Sequence, residues 1–196
     1  MTVSLYVNAF ALGGVLMGFE MLGSRYLFPY FGGSIGTWAG LISTVLVALT
    51  IGYLAGGAIV DRHPTPRVIA VAVSLSALYL TAVPASADFV MSSILTSLGA
   101  GVAGILFAAA VLLLVPLSLL GMFSPVAIRL LIRTTNETGR VAGVVYGIST
   151  LGNVFGTLFT TFFLIPTLGS RAITYLFAAV LAASAVSLFM LRARPP

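Results

Sequence analysis

The chain has 196 residues, 60% of them hydrophobic and 7% charged, with a mean hydropathy of +1.17. A soluble domain carries roughly 25% charged residues, so this composition cannot cover a water-facing surface, and the bilayer is the solvent. Cysteine is absent and His63 is the single histidine, which excludes disulfides, thiolate nucleophiles and Cys- or His-based metal sites; the net charge of +5 comes wholly from Arg and reads as membrane topology rather than nucleic-acid binding.

Six apolar runs reach the length of about 20 residues that a membrane helix needs. They lie at residues 3–27, 37–60, 68–85, 98–122, 141–166 and 172–191. Backbone polar groups have no partner in lipid, so each run is expected to be a helix. The N-terminus, Met1-Thr2-Val3-Ser4, has no basic stretch, so the first run is expected to be a retained span rather than a cleaved signal.

Span one carries two formal charges, Glu20 and Arg25. Each costs about 2.5–3.5 kcal/mol in hydrocarbon on insertion scales. Gly13, Leu16, Gly23, Ser24 and Leu27 share the face of Glu20, which places it toward the bundle interior. Arg25 stands roughly 140° round the helix, poor geometry for a bridge to Glu20. Two readings stay open: ligand or proton handling, or an interhelical polar clasp with Arg25 reaching for the headgroups.

Span two opens near Trp38 and offers Ala48, Gly52 and Gly56 at four-residue spacing, a helix-packing stripe. It ends in Asp61-Arg62, with His63-Pro64-Thr65-Pro66-Arg67 beyond. Gly57-x-x-x-Asp61-Arg62 resembles the loop between the second and third helices of major-facilitator transporters, although the Pro pair displaces the usual glycine. The plainer reading is a charged turn that anchors topology. Residues 89–97 are expected to be a short interfacial helix or the start of span four. Span four holds Pro116, which should free a carbonyl one turn back. Ser124-Pro125 reads as a cap and first helical residue. A short amphipathic helix over residues 126–133 follows, with Arg129 and Arg133 on one face toward anionic lipid or a partner.

Span five has Gly143/Gly147 on one face and Gly152/Gly156 on the other, the pattern of a helix sandwiched between neighbours. Tyr146, Ser149, Asn153, Thr157 and Thr160 fall in an arc of roughly 80°. This polar stripe is either a cavity lining or a row of interhelical hydrogen bonds. Seven of the nine Arg (Arg62, Arg67, Arg129, Arg133, Arg140, Arg192 and Arg194) follow even-numbered spans. The positive-inside rule makes that side, with both termini, cytoplasmic in a bacterial inner membrane. Asp61, Arg62, Arg67, Arg129, Arg133 and Arg140 form the expected cytoplasmic interface. No catalytic triad, carboxylate dyad, metal cluster or phosphate loop is visible, and no cofactor is expected.

Several stretches, in order along nearly the whole chain, together resemble the membrane domain of membrane-fused spermidine synthases. They are Gly18-Phe-Glu-Met-Leu-Gly-Ser-Arg25, Pro29-Tyr-Phe-Gly-Gly-Ser34 with Thr37-Trp38, and Gly52-Tyr-Leu-Ala-Gly-Gly57 leading to Asp61-Arg62. Ser124-Pro-Val-Ala-Ile-Arg-Leu130, Gly139-Arg140, Tyr146-Gly-Ile-Ser-Thr-Leu-Gly152, Gly156-Thr157 and Ile165-Pro166 with Leu168-Gly169 follow. In that family a soluble aminopropyltransferase- or methyltransferase-like domain follows the membrane part. None is present in these residues, so the synthase activity does not carry over. The resemblance implies a membrane module working with a separately encoded enzyme.

The expected fold is all-α: a six-helix transmembrane bundle with the size of half a major-facilitator transporter, divisible into two three-helix groups. Two functions compete. In one, Glu20, Arg25, Trp38 and the Tyr146–Thr160 stripe bind a small polar or cationic ligand for transport or presentation to an enzyme. In the other, the chain is a non-catalytic subunit of a larger membrane complex and its polar groups are clasps.

Overall fold

The computed structural model describes residues 1–132 and 134–191. Six helices are long and apolar enough to cross a membrane: α1 (Thr2–Phe31), α2 (Ile35–Arg62), α3 (Pro66–Leu98), α4 (Val102–Leu131), α5 (Thr138–Thr167) and α6 (Ser170–Phe189). There is no strand among the described residues. The chain is an all-α bundle of membrane-spanning length.

Local chemistry sets the boundaries. Gly32, at φ 74°, ends α1 in a conformation that favours glycine. Ser34 caps α2 by accepting the Thr37 backbone N–H at 3.2 Å, and the buried Thr37 hydroxyl donates to the Gly32 carbonyl at 2.7 Å. The Gly32–Trp38 stretch is therefore a capped turn, with Trp38 half-buried and edge-on to Phe28 at 5.8 Å. Arg62 lies in the last turn of α2, where its charge complements the helix dipole.

Three expectations change. Residues 89–97 are neither a separate helix nor part of span four: α3 runs unbroken through Pro84 to Leu98. Its 33 residues measure about 50 Å, well beyond a hydrocarbon layer of about 30 Å. Ser124 is not a helix cap. The chain turns at Met122 and the last part of α4 starts at Phe123, with Ser124 already inside and Val126 and Ala127 fully buried. This segment is held by the bundle on one face and exposes Arg129 on the other; Arg133, Arg192 and Arg194 lie outside the described residues. Finally, α5 is not sandwiched. A Cβ at Gly143 or Gly147 would meet nothing within 4 Å, whereas Gly152 and Gly156 are in close contact with α1.

The glycines define the packing. At Gly52 and Gly56 of α2, a Cβ would fall 2.9 Å from Gly121 Cα and 2.8 Å from Met122 Cα of α4. At Gly152 and Gly156 of α5, it would fall 2.9 Å from the Phe10 carbonyl carbon and 2.6 Å from Gly14 Cα of α1. Backbones approach this closely only without side chains between them. The bundle is thus built from two glycine-clasped pairs, α1 with α5 and α2 with α4, while α3 packs mainly on α6. Exchanging helices 1–3 with helices 4–6 leaves this pairing unchanged, the arrangement expected of two inverted three-helix repeats.

Pro116 acts through its missing N–H. The α4 backbone widens to a π turn over Ala110–Leu114 just before it. The Tyr79 hydroxyl donates to the Val111 carbonyl, and the buried Ser76 hydroxyl donates to the Pro116 carbonyl at 3.2 Å. A second π turn, Thr160–Leu164, precedes Pro166 in α5.

Candidate functional site

A small polar chamber lies where the two glycine-clasped pairs meet. The α1–α5 pair contributes Leu12, Gly13, Leu16, Ser149 and Asn153. The α2–α4 pair contributes Leu49, Tyr53, Leu120, Gly121 and Ser124, with Phe123 beside them. The chamber therefore sits between the two clasped pairs.

Its free volume is about 30 Å³, which holds a water or a single small ion and no larger solute. Asn153 Oδ1 is buried and has no hydrogen-bond partner. A buried amide oxygen without a donor costs about 1–3 kcal/mol, so it favours a donor-bearing occupant such as water or an ammonium group. Gly13 makes room for it, because a Cβ there would fall 2.9 Å from Asn153 Oδ1 and overlap the Ser149 carbonyl.

Glu20 stands one heptad beyond Gly13 on the same face of α1, about 10 Å further along the axis. It is 5% exposed. Among the described residues it makes no ion pair, and no hydrogen bond satisfies its carboxylate. Gly23, a turn further on, faces Leu41 of α2 and Leu113 of α4. Gly13 and Gly23, on either side of it, thus meet α5 in one case and α2 and α4 in the other, while Glu20 itself is not among the residues that line the chamber.

The remaining sequence-selected residues disperse. Arg25 is exposed, turned away from Glu20, and without an ion-pair partner among the described residues. Trp38 lies in the first turn of α2. Within the α5 stripe, Ser149 and Asn153 line the chamber, Thr157 is half-buried, Thr160 is buried beside Gly18 of α1, and Tyr146 is exposed, within electrostatic reach of Tyr53. The Gly152–Gly156 contact sets the stripe at the edge of the α1 interface, so Ser149 and Asn153 line the chamber and Thr160 packs on α1.

At the end of the bundle that carries the termini, Asp61 stands 4.0 Å from Arg129, with both side chains largely exposed. An exposed pair at that distance contributes at most about 1 kcal/mol. Arg62, Arg67 and Arg140 are exposed at the same end.

Sequence reading passed over several contacts. Asn8 is buried in α1 and donates to Ser187 of α6 at 2.9 Å and to the Ser4 carbonyl at 2.8 Å. Tyr26 bonds Thr174 at 2.7 Å. Arg171 pairs with Asp88 at 2.6 Å, with Tyr30 donating to the same carboxylate at 3.3 Å. These tie α6 to α1 at both ends and to α3 at the Arg171 end. An amide in span one, and an acid and an arginine at the same membrane face, were the available signals. Tyr53 and Ser124 were also missed as chamber residues; each sits next to a clasping glycine or its partner. Against known proteins, no family model, curated protein or solved structure matches the chain.

Proposed function

We propose that this chain is a multi-pass membrane module that takes a small polar or cationic ligand into the space between its two helix pairs. The observation that carries this reading is the polar chamber between the two helix pairs, with the Asn153 acceptor left unpaired inside it. Asn153, Ser149, Ser124 and Tyr53 supply hydrogen-bonding groups, and Glu20 supplies the negative charge one heptad further along. A chamber of about 30 Å³ admits a polyamine-sized molecule only if the α1–α5 pair rocks away from the α2–α4 pair. Rocking of rigid units around a central site is how repeat-built transporters expose it to each side. Consistent with the resemblance to spermidine synthase membrane domains, the ligand class is an amine and the module works with a separately encoded synthase- or methyltransferase-like enzyme. The module itself is non-catalytic. The terminal end, rich in Arg, faces the cytoplasm of a bacterium.

The absence of cysteine gives a clean test. Ser149→Cys or Ser124→Cys in the membrane-embedded protein should react with a small hydrophilic thiol reagent, and spermidine should slow the reaction. A thiol that never reacts from either side of the membrane would remove the chamber from any ligand path.

A second reading rests on a different observation. The α5 helix is the least enclosed of the six, and a Cβ at its Gly143 or Gly147 would meet nothing within 4 Å. Exposed small residues at four-residue spacing suit a neighbouring membrane subunit. Cross-linking from Gly147→Cys to another polypeptide in native membranes would support that role.

A further inference from the structure

A second cavity opens on the outside of the bundle, at the end that carries the termini. It is a groove of about 440 Å³ between α2, α3 and α4. Its wall is apolar and runs inward from Val68 through Val71 and Leu75 of α3, closed from α4 by Leu119 and Met122. Its mouth is different: His63 and Arg67, both exposed, form the rim. None of the four acids of the chain lines it. The nearest in sequence, Asp61, stands by Arg129 instead.

The two parts match the two parts of one molecule. The mouth lies at the helix ends, at headgroup depth, and offers positive charge with no competing carboxylate. From Arg67 to Leu75 the wall descends about 12 Å along α3, into the hydrocarbon layer. The volume accommodates roughly fifteen groups of about 30 Å³ each, the scale of one fatty-acyl chain. A soluble anion would find charge at the rim and nothing polar below it.

We infer that the groove between α2, α3 and α4 is a binding site for an anionic phospholipid, with its phosphodiester at Arg67 and His63 and one acyl chain along Val71 and Leu75. The site is separate from the interior chamber, and it differs from general attraction to an anionic surface because it requires the apolar slot as well as the charge.

The test uses the purified full chain in detergent, exchanged into a four-to-one mixture of phosphatidylcholine and phosphatidylglycerol. Lipid retained per chain is counted by native mass spectrometry. One phosphatidylglycerol should be retained in preference to phosphatidylcholine. Arg67→Gln should weaken that retention about five-fold, the effect of one basic residue beside an anionic headgroup. Leu75→Trp, at a position 49% exposed and so free of core clashes, should fill the slot and abolish retention while leaving Arg67 in place. Asn136→Asp removes the same net charge from an exposed turn away from the groove and should change nothing. Glycerol phosphate should not compete. The inference is overturned if Arg67→Gln or Leu75→Trp retains phosphatidylglycerol like the parent. It is equally overturned if Asn136→Asp loses as much as Arg67→Gln, or if glycerol phosphate displaces the lipid.

Discussion

Gly156→Ala adds one methyl group at the tightest point of the α1–α5 clasp. The new Cβ would stand 2.6 Å from Gly14 Cα, a backbone atom that cannot swing aside. Carbon atoms rest at about 3.5–4.0 Å, so the helices must part by about 1 Å, and a gap of that size forfeits a quarter to a half of the attraction along the contact. Overpacking of this kind costs about 1–3 kcal/mol. Alanine returns about 0.5–1 kcal/mol through its better helix propensity. The net expectation is a loss of about 0–2.5 kcal/mol, centred near 1 kcal/mol, read as a lower melting temperature in detergent. Gly147→Ala is the matched control: it has the same propensity gain and no neighbour within 4 Å, so it should be neutral or slightly stabilising. Equal melting of the two variants would refute the claim that Gly152 and Gly156 clasp α5 to α1.

Other expectations follow from single contacts. Asn8→Ala removes the hydrogen bonds to Ser187 and the Ser4 carbonyl; it should cost about 0.6 kcal/mol, and not above about 1.7, measured by thermal or chemical unfolding. Asp88→Asn breaks an exposed ion pair with Arg171 and should shift stability by less than about 1 kcal/mol. Compartment reporters inserted in the 99–101 turn and fused to the C-terminus should report opposite sides of the membrane, with the C-terminal one cytoplasmic. The 99–101 turn is the proper outer site, because residues 84–88 are helical.

Composition alone made the six spans legible, since apolar runs of spanning length leave the backbone no alternative to helix. The glycine spacing in spans two and five also read correctly where it repeats at four residues and meets another backbone, at Gly52/Gly56 and Gly152/Gly156. Gly143/Gly147 has the same spacing and packs on nothing, because spacing reports that a face is smooth and not that a neighbour covers it. The pairing of helices was illegible for a related reason: the four-residue glycine spacing at Gly52/Gly56 and at Gly152/Gly156 does not say which helix each pair meets. The polar stripe of span five was visible as a stripe, but which of its members reach the interior depends on how Gly152 and Gly156 rotate the helix against α1. Ser124-Pro125 looked like a helix start because that dipeptide often is one; here α4 turns two residues earlier, at Met122–Phe123, to bury Val126 and Ala127.

Glu20 gives the most direct test of ligand handling. It is buried, and no described cation stands within ion-pair distance. Glu20→Gln keeps shape and hydrogen-bonding capacity and removes the charge. Spermidine binding by equilibrium dialysis, measured with thermal melting on the same purified protein, should show unchanged melting and lost binding. Losing one partner of a buried ion pair costs about 3–5 kcal/mol, so a large drop in melting would instead identify Glu20 as half of a structural clasp. A variant that melts normally and binds spermidine like the parent would contradict a role for Glu20 in ligand binding.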